Sequence, residues 1–472
     1  MPDEQLEVLS LRADTSRRYV LRGWCGLLPP GLQLGLLAGL IALSACGPST
    51  PSEPTPVSAP TRHVLLLSLD TLRADHLGAY GYERNTSPFL DSLLARGLVF
   101  ERASAAAPWT LPSHASLLTG LHPHKNGAVA GKRGLAKNVQ TLPEQLTAQG
   151  FATASIVSSR FLGERHGLQR GFAHTEVMDE RPQPGPLVTD AALAWAAQLG
   201  DQPGFLFAHY YDVHSAYDPA EPYLAQFVAP YDGPADGTTP QLQKVRTGEI
   251  TFDASDLAHV IALYDGEIRE LDDELARLFA GLEQLPFGEN MLVIVTADHG
   301  EEFLDHGDVL HGRSMHKELL HVPFALIGEG IAPGRRDELA THVDVVPTVL
   351  SMLGLPVPAG LDGRDLSEPN ASRHFVFGEA DHNNATDDTL RMVSDGHFKL
   401  ILDKSDGSRA LYDLRTDPGE STDVSEQRPE VTALFLGHLD AFENSSATGE
   451  ASSPLSEEDR RALIELGYLE NG

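Results

Sequence analysis

The chain has 472 residues and sets 35 Lys and Arg against 67 Asp and Glu, for a formal net charge of −32. So acidic a protein is a poor partner for nucleic acid or for an anionic lipid surface, and a site for anionic substrates must bring its own positive potential, most simply a metal ion. Its two cysteines, Cys25 and Cys46, both lie near the N-terminus, which excludes a disulfide scaffold and a cysteine-zinc site in the remainder.

In chain order, Arg17, Arg18 and Arg22 precede the apolar run Gly31 to Ala45, which is too short and too rich in small residues for a membrane span. It ends in Leu43-Ser44-Ala45-Cys46-Gly47, which resembles a bacterial lipoprotein processing site with Cys46 as the lipidated residue. The expectation is a signal segment over 1–46 and a lipid anchor in the bacterial cell envelope, facing the periplasm or the exterior. A short membrane anchor or an ordinary signal peptide is the plainer alternative. Pro48 to Pro60 is rich in Pro, Ser and Thr without apolar periodicity, so 47–61 reads as an extended tether.

Beyond the tether, strand-length apolar runs alternate with helical patterns. His63 to Leu69, Phe151 to Val157, Gly204 to Ala208 and Met291 to Val295 read as buried strands. Ser87-Pro88 opens a helix that ends at Gly97; Thr141-Leu142-Pro143-Glu144 is a capping box whose helix closes at Gly150; and Asp253 to Leu285 carries a long amphipathic helix. Strands separated by helices imply a mostly parallel sheet covered on both faces, here over 62–365. Residues 210–250, rich in Pro, Gly and Tyr, read as a long surface excursion and a candidate lid. From 366 to 472 the pattern shifts to short strands at Phe375 to Phe377, Leu390 to Val393, Phe398 to Leu402 and Ala410 to Tyr412, giving a small antiparallel subdomain and tail.

Open α/β sheets bind ligands beyond the carboxyl ends of their strands. Asp70 follows the first strand, Asp212 and His214 follow the Gly204 strand, and Asp298 and His299 follow the Met291 strand. A lone Asp after a strand usually caps the next helix, but several such ends in one chain point to a site. A further segment, Pro108-Trp109-Thr110-Leu111-Pro112-Ser113-His114-Ala115-Ser116-Leu117-Leu118-Thr119-Gly120, resembles the active-site signature of the sulfatase family, within the alkaline phosphatase superfamily. Val343 to Leu350, Gly396 to Leu400, Leu411 to Leu414 and Asp417 to Glu420 are also similar to that family.

The resemblance implies an alkaline-phosphatase-like α/β fold and an ester hydrolase. Its first metal would be held by Asp70, Thr110, Asp298 and His299; its substrate contacts would come from His214, His311, His114 and Arg160. His311 also matches a second-metal position, and His122 and His124 read as support for the helix that follows Thr110. His306 is either part of the site or merely solvated.

The sequence also departs from the pattern. Thr110 stands where sulfatases carry the Cys or Ser that becomes formylglycine, His114 stands for an Arg, and Ser158 for a sulfate-binding Lys. Thr71 and His299 replace oxygen ligands that calcium prefers, which turns the expectation toward zinc or manganese, with calcium or magnesium as alternatives. A threonine hydroxyl suits phosphorus better than sulfur, because water can attack a phospho-threonine in line whereas a sulfo-threonine has no internal exit. The expected substrate is therefore a phosphate mono- or diester or a phosphonate. A sulfatase working without formylglycine, a phospho-group transferase acting on envelope glycans or lipids, and a non-catalytic binding protein are the alternatives.

Overall fold

The computed structural model describes residues 63–129, 133–178, 184–288, 290–368, 373–381 and 389–445, so the signal-type segment, Cys46 and the tether lie outside the described residues. Among the described residues no helix is long and apolar enough to cross a membrane.

The run His-Val-Leu-Leu-Leu-Ser-Leu forms β1 (His63–Leu69), buried along its whole length. Such an unbroken apolar run is what a strand covered on both faces requires. It is followed by β2 (Leu98–Ser104), β3 (Ala152–Val157), β4 (His174–Val177), β5 (Gly204–Tyr210) and β6 (Met291–Ala297). A two-stranded ribbon, β7 (Glu302–Phe303) and β8 (Val309–Leu310), precedes β9 (Phe324–Ile327) and β10 (Gly334–Thr341). All but the ribbon join one eight-stranded sheet in the order β10-β2-β9-β6-β1-β5-β3-β4. Only β9 runs antiparallel to its neighbours, β2 and β6. Isolated polar residues in the central strands, Ser68 and His209, are as buried as the leucines beside them.

Local chemistry sets the helix starts. Thr141 and Glu144 make the reciprocal capping-box bonds, and Asp253 and Asp256 do the same for the helix Ala254–Leu282, which packs against the helices Pro88–Leu94, Gly185–Ala196 and Tyr223–Phe227. Pro88 opens the helix Pro88–Leu94, but the hydroxyl of Ser87 turns to Asp91 rather than capping the backbone. The excursion over 210–250 contains two short helices, Tyr223–Phe227 and Thr239–Arg246.

Downstream, β11 (Val376–Asp381), β12 (Thr389–Ser394), β13 (Phe398–Asp403) and β14 (Arg409–Asp413) form an antiparallel meander. The first of these starts one residue later and runs further than the sequence pattern suggested, to Asp381. The helix Pro429–Glu443 lays Phe435 and Leu439 on a small core with Val393, Leu400 and Leu411. Phe435 stacks edge-on against Phe375 at 5.6 Å. Phe435→Ala should therefore cost about 3–5 kcal/mol, read as a lower urea midpoint, because a fully buried ring leaves a cavity the surrounding sheet cannot close.

Candidate active site

Strand register places the acids. Leu69 at the end of β1 lies opposite Ala297 of β6 on one side and Tyr210 of β5 on the other. Asp70 and Asp298, each the next residue on its strand, therefore emerge side by side. Thr71 then turns through the left-handed region (φ 53°), and its backbone N–H donates to Asp298 Oδ1 at 3.3 Å while its hydroxyl donates to the Val213 carbonyl. A β-substituted residue is unusual there, and such strain persists where the surroundings hold it. On the other strand Gly300 passes so close to Glu318 that a Cβ would stand 1.9 Å from that carbonyl, so only glycine fits after Asp298-His299.

Thr110 begins the helix Thr110–Thr119, all ten residues of which are buried, and Trp109 before it is extended. The helix stops at Gly120, whose φ of 70° suits glycine and which packs on Val346 and Leu361. Thr110 Oγ1 thus sits at the positive end of a buried helix dipole, 3.4 Å from His299 Nε2.

Several imidazoles surround these acids with their tautomers set by the backbone. A carbonyl only accepts, so Nδ1 of His299 donates to Gly300 O (2.9 Å), Nδ1 of His114 to Thr110 O (2.7 Å), and Nδ1 of His214 to Ser215 O (2.9 Å). Each is left with its lone pair on Nε2. For His114 that atom faces Ser68 Oγ at 2.8 Å. His311 is fixed differently: its Nδ1 lies 2.9 Å from Glu301 Oε1, and the other oxygen of that carboxylate accepts from the Tyr217 hydroxyl, also at 2.9 Å. The His311 ring stands 4.4 Å from that of His299 and 5.0 Å from that of His214.

Burial shapes the charges. It pushes His114 and His214 down to about 3, helped by neighbouring imidazoles, and drives His311 well below the usual range. All three are therefore neutral near pH 7. Burial alone would raise Asp298, yet His299, His114, His209 and the His299 backbone amide hold it well below the usual carboxylate range.

These donors fit a divalent ion. Asp70, Asp298 and His299 each offer an atom within 4.8 Å of the others, and Asp298 Oδ2 is fully buried without a hydrogen bond. Ligands about 2.0–2.1 Å from one tetrahedral ion stand about 3.3 Å apart. The observed gaps are of that size: 3.4 Å from Asp298 Oδ2 to His299 Nε2 and 3.4 Å from Thr110 Oγ1 to the same nitrogen. A mixed oxygen and imidazole set suits zinc or manganese.

The remaining expected residues are spread more widely. Arg160 opens the short turn Arg160–Leu162 against the Thr110 helix, with an exposed side chain. Asp212 turns away to accept from the Gly185 backbone, and burial raises it to about 7. His122 and His124 lie toward the meander: the first packs on Phe442, and the second bonds Glu379 at 2.7 Å. His306 is bonded rather than solvated; its ring stacks on His316 at 3.6 Å and reaches Glu318 at 2.5 Å. His209, Glu301 and Tyr217 were not selected from the sequence. His209 did leave a trace there, as the only imidazole in the strand Gly-Phe-Leu-Phe-Ala-His-Tyr.

The profile of the sulfatase family matches residues 62–355. The chain is 23% identical over 455 residues to a Delta 4,5-hexuronate-2-O-sulfatase of Bacteroides thetaiotaomicron, which covers 84% of this chain and 90% of that protein. Among solved structures, the phosphonate monoester hydrolase of Agrobacterium radiobacter superimposes with a TM-score of 0.67 at 21% identity, covering 82% of this chain and 95% of that one. A structure in complex with D-glucosamine-2-N,6-O-disulfate gives 0.70 at 17% identity, covering 82% and 98%. Both superpositions establish a shared fold. From the extent of the profile match, the chain belongs to the sulfatase family of the alkaline phosphatase superfamily and is an ester hydrolase acting on anionic substrates.

Proposed function

We propose that this protein hydrolyses phosphate mono- or diesters, or phosphonate esters, with Thr110 as its nucleophile and zinc or manganese as its ion. The observation that carries this reading is the placement of the Thr110 hydroxyl at a helix N-terminus, 3.4 Å from His299 and beside the Asp70–Asp298–His299 donors. An ion held by Asp70, Thr110, Asp298 and His299 would polarise the ester and lower the pKa of the bound hydroxyl, as zinc lowers that of water from 15.7 to about 7.

Thr110 Oγ1 loses its proton to solvent and attacks phosphorus, the bond to the leaving oxygen breaks, that oxygen takes up a proton from solvent, and a phospho-threonine remains. Water then attacks phosphorus in line, the bond to Thr110 breaks and phosphate or phosphonate leaves. Glu301 holds the Nδ1 proton of His311, so Nε2 of that ring can take the proton of the attacking water. His214, beside it, and Arg160 contact the anionic substrate. The solved relatives include both a phosphonate monoester hydrolase and a protein holding a sulfated glucosamine, so an envelope glycan or lipid ester is a fitting substrate class. We further propose that Cys46 is lipidated and anchors the enzyme in the bacterial envelope.

The second reading, a sulfatase working without formylglycine, is favoured by the sulfatase name of the Bacteroides relative. The two separate on one panel of aryl esters. Phosphonate or phosphodiester turnover should exceed aryl-sulfate turnover, and the reverse order overturns the phosphorus assignment. Thr110→Ala should lower turnover at least ~10³-fold, the scale seen when a covalent nucleophile is removed, and quenched wild-type enzyme should carry a phosphate on Thr110 by mass spectrometry. Glu301→Gln, which loosens His311 without touching substrate, should cost about 10–100-fold in kcat with KM little changed. In cells supplied with a labelled fatty acid, the full chain should take up label and Cys46→Ser should not.

A further inference from the structure

A cavity of about 320 Å³ lies between the edge of the large sheet and the meander. Its inner wall comes from β2, β10, the short helix Lys317–Leu320 and His321. Its outer wall comes from β11, β12, β13 and the loop that follows β14. None of Asp70, Thr110, His214, Asp298, His299 or His311 lines it. The outer wall, from Val376 to Glu420, also lies beyond the residues that the sulfatase profile matches. The volume is at the lower end of the range that small-molecule sites occupy.

Two chemistries meet in this cavity. Leu320, Leu339, Val376, Met392 and Leu414 give it an apolar interior. Arg102, Lys317, Lys399 and Arg415 also line it, against the acids Glu101 and Glu420. Both acids are already neutralised, Glu101 by Arg335 and Glu420 by Lys399. Arg415 is matched in the same way by Asp413. Arg102 and Lys317 are left over. The exposed guanidinium of Arg102 makes one long hydrogen bond, 3.4 Å to the Gly396 carbonyl. Half-buried Lys317 donates its backbone N–H to Glu420 at 3.2 Å, while its ammonium has no partner among the described residues. In a chain of net charge −32, two cations without counter-charge beside an apolar hollow call for an anion with an apolar body.

We propose that this cavity is a second binding site, separate from the catalytic one, for an alkyl carboxylate of the fatty-acid type. Arg102 and Lys317 take its head group, and Leu339, Met392 and their neighbours take its chain. Removal of the chain from water supplies the affinity, and the two cations select an anion over a neutral or cationic ligand of the same shape. The site does not depend on which ester the enzyme hydrolyses.

The test is calorimetric titration of the full chain with octanoate, octanol and octylamine. Octanoate should saturate a single site with a dissociation constant below ~1 mM, octanol should bind about tenfold more weakly, and octylamine should not bind. Arg102→Gln and Lys317→Gln should each weaken octanoate about tenfold and leave octanol unchanged. Leu339→Trp, which fills the hollow, should abolish binding of both. Absence of saturable octanoate binding, equal affinity for octanol, or unchanged octanoate binding in both charge variants overturns the site. Octanoate that competes with the hydrolysed ester occupies the catalytic site instead, and that outcome overturns it too. If Leu339→Trp fails to fold, the two charge variants still decide, since neither side chain takes part in an ion pair among the described residues.

Discussion

The ionised carboxylate of Asp298 is buried among imidazoles just beyond the carboxyl end of β6, and the site is built around the need to satisfy it. An isolated charge in such a place costs several kcal/mol, so it must be met by opposite charge, by hydrogen bonds or by a metal. Backbone amides from Thr71 and His299 satisfy one oxygen. The other faces the Nε2 lone pair of His299 at 3.4 Å, the spacing of two ligands on one ion.

That requirement explains several otherwise costly features. Thr71 takes a strained conformation because its amide is needed at Asp298. The Thr110 helix is buried on every side, which brings its positive end against the carboxylate, and Ser113 on its first turn donates to the Asp298 carbonyl at 2.6 Å. His342, pushed down to about 3 by burial, bonds both Ser113 and the Ala297 carbonyl, so the strand end is pinned from behind as well.

The fold was legible in the sequence where local chemistry acts alone. The apolar run of β1, the Thr141–Glu144 capping box and the Asp253 helix start appear where their residues indicate, because strand burial and caps depend on near neighbours. Asp70, Asp298 and His299 were legible as residues at strand ends. Their mutual distances were not, since these follow from the pairing of strands more than two hundred residues apart in sequence. His209 was missed for the same reason: inside a strand buried on both faces, nothing in the sequence says which side chain turns toward Asp70. The Ser87 hydroxyl had two local partners available, and the carboxylate of Asp91 won over the backbone amide.

The meander bears on the site through a chain of contacts. Lys399 on β13 grips Glu420 with both carboxylate oxygens, Glu420 bonds His316, and His316 stacks on His306. His306 in turn holds Glu318, whose carbonyl lies against Gly300, the neighbour of His299. These links run from a strand of the small sheet to a residue of the candidate metal site. The small sheet is thus part of the scaffold that fixes the position of His299, and a fragment that kept the large sheet but lost the meander would hold every reactive group without the frame that keeps them in place.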